Sequence, residues 1–309
     1  PAALTVPEAI IREEGPLEPH AYYRNKNLNS RVVGFDPEPE EHLRRVEAAI
    51  GTIETSKLEK VVLARAVEIE FPEAIDPRLV AARLIDLSAN RDGFIVDLSP
   101  AGRPGAMLVG SSPEVLVKRQ GSTVSAFPLA GSSPRRTSAA EDHIAGQDLL
   151  HSTKDLHEHS FVVEHLRRVL SPLCERLDIP DAPQLISTNE MWHLGTPISG
   201  TLKDKGLTAL ELALAAHPTP AICGTPAEAA QALIETAETD RGFYAGAVGW
   251  CDSSGDGEYM VAIRCAEVAG DGLSARAWAG GGIVGDSDAH AELEETTAKL
   301  RTILKALSL

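Results

Sequence analysis

The chain has few cysteines, no long apolar run and no excess of positive charge. Its 309 residues include four cysteines, none of them in a CxxC pair. A disulfide framework is therefore not expected, and we expect reduced thiols in a cytoplasmic protein. The first 30 residues contain no continuous apolar segment, so a signal peptide is not predicted. No apolar run reaches the ~18 residues of a membrane span, and no membrane association is expected.

Basic residues are outnumbered by acidic ones. The 29 Lys and Arg residues face 45 Asp and Glu residues, which gives a formal net charge of −16. A chain this acidic repels nucleic acid and anionic membrane surfaces, so neither is expected as a partner. An anionic small molecule can bind only where a local basic pocket or a metal ion reverses the field.

The order of the predicted elements indicates an α+β fold, because runs of strands with helices between them fit that class better than strict alternation. Periodicity predicts helices at 40–55, 77–87, 139–170, 208–216, 226–236 and 288–307. It predicts strands at 60–71, 93–98, 106–109, 115–119, 123–128, 183–189, 192–194, 198–202, 244–252, 258–268 and 273–279.

The chain is predicted to form one domain. No stretch resembles a linker, so residues 1–309 are assigned to a single catalytic domain with a large, mainly antiparallel sheet region flanked by helices. Residues 1–40 are rich in Pro and Glu and weakly patterned, and we expect them to be peripheral or partly ordered. Residues 129–134 are predicted to form a turn.

The segment 217–225 carries little structural periodicity and is the first candidate for a ligand site. Pro218 and Pro220 exclude a helix there, and no period of 2 or 3.6 fits across the segment. It lies between two predicted helices. A stiff polar turn in this position is suited to holding a ligand.

Carboxylates at inward-facing helix positions are candidates for a metal site. Glu158 is followed at i+4, i+8 and i+12 by Val or Leu, so it should lie on a buried face, where an unpaired carboxylate is costly. Glu292 and Glu295 are three residues apart and neighbours on a helix surface. Together they offer the oxygen ligands of a hard ion such as Mg2+. Alternatively, the last two simply favour a helix N-terminus.

Two further motifs resemble a dinucleotide-binding site and a histidine metal site, but their surroundings in the sequence argue against both. Residues 280–285 match GxGxxG, but too little chain follows for the second strand of a dinucleotide-binding unit. Bare backbone that a ligand can approach closely is the better interpretation. His157 and His159 are two apart on a helix and point away from each other, so a solvated histidine face is expected.

Lys60 and Glu114 are candidates for acid–base chemistry. Four apolar residues follow Lys60, and an inward lysine beside them would be partly desolvated, which favours the neutral amine that can act as a base. Glu114 lies in a turn that leads into a strand. The alternatives are an exposed lysine at a strand start and a solvated glutamate.

Taken in order, these segments resemble the isochorismate synthase branch of the chorismate-utilising enzymes, of the siderophore-pathway type. The matching segments span most of the chain and are 60–65, 110–114, 128–132, 152–159, 192–193, 217–224, 262–264, 280–282 and 291–296. The resemblance implies the chorismate-utilising enzyme fold, chorismate as the substrate and Mg2+ as the cofactor.

The resemblance also implies roles for the candidate residues. Lys60 matches the general base that activates a water to attack C2 of chorismate, and Glu114 matches the general acid that protonates the departing C4 hydroxyl. Glu158 and Glu295 match the carboxylates that hold Mg2+, while Glu292 matches a carboxylate that acts on the ion through water. The matching substrate-binding residues are Gly131, Ser132, His193, Ala221, Arg264, Gly282 and Lys299.

Two alternatives to an isochorismate synthase stay open at the level of sequence. A salicylate synthase would release pyruvate in the same site, but Ala221 matches the small residue of isochorismate synthases, where a threonine is typical of salicylate and anthranilate formers. A non-catalytic relative would bind chorismate without turnover. No glutaminase-like triad is present, so no glutaminase subunit is expected, and we expect a monomer or weak dimer.

Overall fold

The computed structural model describes residues 1–11, 27–88 and 92–309. No helix in these ranges is long and apolar enough to cross a membrane. The helices are α1 (Pro39–Thr55), α2 (Pro77–Leu87), α3 (Ala139–His151), α4 (Thr153–Leu170), α5 (Ala209–Ala216), α6 (Ala227–Ala237) and α7 (Ala289–Ala306).

Two large sheets and one small sheet make up the β-structure, and the strand pairs of the described residues are antiparallel. The first sheet has the order β1-β2-β16-β15-β4-β3, with β12 also paired to β2. Its strands are β1 (Arg31–Asp36), β2 (Lys60–Glu70), β3 (Phe94–Asp97), β4 (Met107–Gly110), β12 (Gly224–Thr225), β15 (Cys265–Val268) and β16 (Ser274–Ile283).

The second sheet has the order β13-β14-β5-β6-β11-β8, and the small sheet has the order β7-β10-β9. The strands of the second sheet are β5 (Val115–Gln120), β6 (Thr123–Phe127), β8 (Cys174–Asp178), β11 (Ile198–Leu202), β13 (Ala247–Cys251) and β14 (Gly257–Val261). The small sheet contains β7 (Leu129–Pro134), β9 (Gln184–Ser187) and β10 (Met191–Gly195). This arrangement confirms the predicted α+β class with its mainly antiparallel sheets.

The strand β2 is central to the first sheet and is buried along nearly its whole length. Its residues from Lys60 to Val67 are all buried, because helices and the second sheet cover its two faces. Its register with β16 places Gly282 opposite Val62 and Ile283 opposite Val61. The first residue of β2, Lys60, is therefore carried into the interior beside the glycines of β16.

The apolar residues form three clusters around the first sheet. The largest lies between the two large sheets and includes Leu166 and Leu170 of α4. A second packs α2 and α7 on the first sheet, with Leu300 and Ile303 from α7. The third joins α1 and α6 to the start of β2. The apolar stripes of α4 and α7 thus fix which way the carboxylates at their N-terminal ends point.

Two predictions, for residues 258–268 and 129–134, are wrong. Residues 258–268 form two strands in different sheets, because Arg264 adopts a φ of 51° between them and turns the chain from β14 into β15. Residues 129–134 form β7 rather than a turn, since their Gly and Ser residues conceal a strand that pairs with β10. Within the weakly patterned start, residues 31–36 form the edge strand β1.

Candidate active site

A cavity opens between the first sheet, the small sheet and the segment 217–225. The space between atoms there is about 650 Å³ when the open solvent at its mouth is included. Nine of the twelve predicted site residues line it: Glu114, Gly131, Ser132, Glu158, His193, Ala221, Arg264, Gly282 and Lys299. Lys60, Glu292 and Glu295 lie immediately behind this lining.

Lys60 is fully buried and forms an ion pair with Glu158. Its Nζ atom lies 2.9 Å from Oε1 of Glu158, and the lysine side chain is 0% exposed. The contact is not aligned as a hydrogen bond, so the N–H donors of Nζ have no protein acceptor among the described residues. The sequence predicts a buried face for Glu158 and leaves Lys60 open between an inward and an exposed position, and it does not predict that they pair. Lys60 therefore keeps donor capacity for a water or substrate oxygen.

Glu114 is buried in the turn between β4 and β5. Burial raises the pKa of Glu114 to about 7, even though the N–H group of Leu129 and the positive charge of Lys60 favour the ionised carboxylate. A carboxyl group with this pKa is partly protonated at neutral pH. It can therefore give a proton to a leaving group.

Arg264 and His193 form a buried polar pair that also lines the cavity. Arg264 is held at a φ of 51°, a region that non-glycine residues rarely occupy. Its Nη2 atom donates to Nε2 of His193 at 3.4 Å. Burial, together with the charges of Arg264 and Lys299, holds the pKa of His193 well below its ordinary value. The imidazole is thus neutral, and the guanidinium is the charged group available for an anion.

Glycines bring backbone close to the charged groups. A Cβ atom added to Gly282 would lie 2.1 Å from Oε1 of Glu158 and 3.0 Å from Cε of Lys60. Gly131 has a φ of 76°, and a Cβ there would lie 3.0 Å from Cβ of Asp155. The glycine-rich segment of β16 therefore lets the Lys60–Glu158 pair approach the strand, as the run of glycines in the sequence predicts.

Glu292, at the N-terminal end of α7, is buried and bound by a lysine. Its Oε1 atom accepts from Nζ of Lys154 at 2.7 Å and from the hydroxyl of Ser287 at 2.9 Å. Its Oε2 atom is buried without a partner among the described residues. Burial and the adjacent Glu295 raise the pKa of Glu292 to about 7. One of its oxygens is therefore free to accept a further donor or a cation.

Glu295 lies one turn further along α7 and pairs with Lys299. Burial disfavours its ionised form, but the adjacent Lys299 ammonium and the hydroxyl of Ser132 outweigh this and lower the pKa of Glu295. Lys299 also donates to the carbonyl of Gly280 at 2.9 Å. The pair links α7 to β16 and to β7 at the cavity wall.

The caps of α4 and α7 fix these carboxylates. The hydroxyl of Ser152 accepts from the N–H of Asp155 at 3.2 Å and begins α4. The carboxylate of Asp288 accepts from the N–H of Ala291 at 2.9 Å and begins α7. Both helices therefore start a few residues before Glu158 and Glu292.

The carboxylates fit a hard divalent cation in donor type. Their oxygens are the ligands that Mg2+ prefers, and Oε2 of Glu292 has no partner within the described part of the chain. Within residues 1–11, 27–88 and 92–309, however, no three His, Cys, Asp or Glu side chains are grouped closely enough to hold an ion. The reason is that Glu158, Glu292 and Glu295 each contact a lysine instead.

The prediction of a solvated histidine face is wrong for His159. This residue is only 2% exposed, and its ring nitrogens contact the carbonyl of Ala130 at 3.1 Å and the hydroxyl of Thr196 at 2.7 Å. Burial lowers the pKa of His159 to about 4. Its neutral ring connects α4 to β7. His157, in contrast, is exposed as expected.

Three further residues belong to the site but are not predicted from the sequence. Lys154 could have been found by spacing, because it lies four positions before Glu158 on the same helix face. Tyr244 and Trp278 line the cavity with ring centroids 6.0 Å apart. No periodic signal marks these aromatic residues, because one lies in a loop and the other in a strand of small residues.

The family comparisons agree with this geometry. A family model described as "Chorismate binding enzyme" matches residues 10–308. The isochorismate synthase DhbC of Bacillus subtilis is 42% identical over 310 residues, covering 99% of this chain and 77% of that protein. The vibriobactin-specific isochorismate synthase of Vibrio cholerae is 41% identical, covering 99% of this chain and 76% of that protein.

A solved structure gives the same result for the fold. The crystal structure of DhbC from Bacillus anthracis matches with a TM-score of 0.87 at 41% identity, covering 92% of this chain and 75% of that one. With a family model over nearly the whole chain and relatives above 40% identity, the chain belongs to the chorismate-binding enzyme family.

Proposed function

We propose that this chain converts chorismate to isochorismate with Mg2+ as its cofactor. One observation carries the proposal. A buried lysine, Lys60, and a buried carboxyl group, Glu114, whose pKa is about 7, are both present at the same cavity. One group can take a proton and the other can give one. The names of the isochorismate synthases that this chain resembles support the same reaction.

The reaction needs a base and an acid at different ring carbons. Lys60 takes a proton from a water whose oxygen bonds to C2 of chorismate. The ring double bonds C1=C2 and C5=C6 shift to C1=C6 and C4=C5, and the C4–O bond breaks. Glu114 supplies the proton with which the C4 hydroxyl leaves as water. One water enters and one leaves, so the product is an isomer of the substrate.

Binding of a dianion requires positive charge in a chain of net charge −16. Arg264 offers a guanidinium for the enolpyruvyl carboxylate, and its burial strengthens that interaction. Glu158 and Glu295 would hold Mg2+, with Glu292 acting on the ion through water. The ion would neutralise the ring carboxylate of the substrate.

The contacts to the ring and its carboxylates come from backbone and small side chains. Gly131, Ser132 and Gly282 present backbone groups to the cavity, and His193 and Lys299 lie at its wall. Lys60 acts as the base in its neutral form, and Glu158 would then stabilise the ammonium that forms when Lys60 takes the proton from water.

We propose that the product, isochorismate, is used in a siderophore pathway. The segment 128–132 matches the siderophore type of isochorismate synthase, and the Vibrio cholerae relative is named as specific for vibriobactin. The test is to express this chain in a host that lacks its own isochorismate synthases. Accumulation of a catecholate or salicylate siderophore that depends on the chain would support the siderophore pathway.

Product analysis tests the reaction itself. The purified protein is incubated with chorismate, with and without Mg2+, and the products are separated by chromatography. Isochorismate that forms only with Mg2+ supports the proposal. Salicylate with pyruvate would identify a salicylate synthase, and binding of chorismate without turnover would identify a non-catalytic relative.

A further inference from the structure

Three carboxylates of the site are each paired with a different lysine, although each was expected near a metal ion. The pairs are Lys60–Glu158, Lys154–Glu292 and Lys299–Glu295. Two of these lysines already have a proposed role toward the substrate. Lys154 does not line the cavity, so its contact with Glu292 needs another explanation.

Lys154 lies where its positive charge can balance the negative charge of the three carboxylates. Its Nζ atom lies 2.7 Å from Oε1 of Glu292. Burial disfavours its charged form, but the charges of Glu292, Glu295 and Glu158 outweigh this and raise the pKa of Lys154 above its ordinary value. The 2.7 Å ion pair places the ammonium of Lys154 directly on a carboxylate of the candidate metal site.

An ammonium and a divalent cation compete for this carboxylate. Both are attracted to the same oxygens, and two positive centres a few ångströms apart repel each other strongly in a poorly solvated site. Oε1 of Glu292 is already bound by Lys154 and Ser287, while Oε2 has no partner among the described residues. Lys154 is partly exposed, with 26% of its side chain accessible, so its ammonium can move toward solvent.

We propose that Lys154 is the internal counter-ion of the metal site, holding Glu292 in the metal-free protein and leaving it when a divalent cation binds the same carboxylates. Lys154 is thus a positioning residue that keeps the carboxylates together and weakens metal binding. This inference rests on the proposed function, because it assumes that these carboxylates bind Mg2+.

The test measures Mg2+ binding by calorimetry without chorismate, and thermal unfolding in EDTA and in Mg2+. Lys154→Met should bind Mg2+ at least about fivefold more tightly, since a competing charge is removed. It should unfold at a lower temperature in EDTA and gain more from Mg2+ than the wild type. Lys154→Arg, which keeps the charge, should retain the weaker affinity.

Two further variants separate exchange from general electrostatics. Lys118→Met removes a lysine from an exposed pair with Glu258 and should leave the Mg2+ affinity unchanged. In a Glu292→Gln background, Lys154→Met should change the Mg2+ affinity much less than in the wild type, because the contested carboxylate is gone. Circular dichroism checks that each variant is folded.

The outcomes distinguish this inference from the proposed function. Equal or weaker Mg2+ binding by Lys154→Met would overturn the exchange while leaving isochorismate formation intact. Tighter binding by Lys154→Met in a protein that forms no isochorismate would support the exchange and overturn the proposed function. Absence of Mg2+ binding by wild type and variant alike would overturn the exchange and the role of the metal together.

Discussion

The Nζ atom of Lys60 lies 2.9 Å from Oε1 of Glu158, at the point where the first sheet meets α4. Both side chains are almost wholly buried, so each compensates the charge of the other. Removing one partner of such a pair typically costs about 3–5 kcal/mol, because the other charge is left buried and unpaired. This relationship makes it possible to separate the effect of Lys60 on stability from its effect on chemistry.

Lys60→Met is expected to lower kcat by ~10²–10⁴-fold, the usual contribution of a general base. It should also lower the thermal stability, since Glu158 loses its partner. The double variant Lys60→Met/Glu158→Gln should regain most of the stability without regaining activity. Steady-state kinetics and thermal unfolding of both variants check this, with Lys118→Met as the exposed control. Near-normal kcat in Lys60→Met would contradict the role as base.

Glu114 should give the reaction an alkaline limb. Because its pKa is about 7, the carboxyl group is mostly protonated below pH 7 and loses its proton above it. If the protonated form is the acid, kcat/KM should fall about tenfold for each pH unit above that value. The measurement is a pH profile of kcat/KM for chorismate at saturating Mg2+.

Glu114→Gln supplies the control for that profile. The amide keeps the shape of the side chain but cannot release a proton, so the rate should fall while the alkaline limb near pH 7 disappears. If the alkaline limb persists unchanged in Glu114→Gln, it is caused by the titration of another group. The acidic limb, which depends on other residues, should be retained.

The glycine at position 282 should be essential for the Lys60–Glu158 pair. A Cβ atom there would lie 2.1 Å from Oε1 of Glu158, so Gly282→Ala must push the carboxylate away from its lysine. We expect loss of most activity and weaker Mg2+ binding, with the fold retained. Gly285→Ala is the matched control, because its Cβ would meet only Ile53 Cγ2 at 3.8 Å. Equal activity of the two variants would refute the explanation.

Much of this site can be predicted from the sequence for two reasons. Apolar periodicity indicates which side chains face inward, and the resemblance to a known family implies their roles. The stripe after Glu158 places that carboxylate on a buried face, and the structure leaves it only 7% exposed. The run after Lys60 predicts an inward strand, and β2 is buried. Both residues lie in elements whose pattern is strong enough to set their orientation.

What the sequence does not show is which charges meet. The pairing of Lys154 with Glu292 joins two helices separated by more than a hundred residues, and no local pattern reports such a contact. The turn at Arg264 is also hidden, since Val, Ala and Ile before it read as a continuous strand. Long-range contacts and single left-handed residues depend on the whole fold rather than on periodicity.

Ala221 should determine which product the cavity releases. It lies at the cavity in the segment 217–225, and its N–H donates to the hydroxyl of Thr219 at 3.3 Å. The resemblance places a threonine here in enzymes that form salicylate or anthranilate. Ala221→Thr should therefore reduce isochorismate formation and release pyruvate, which a lactate dehydrogenase assay detects. Ala221→Val, with the same shape but no hydroxyl, should lower the rate without releasing pyruvate. Similar pyruvate release by the two variants would show that bulk rather than the hydroxyl changes the outcome.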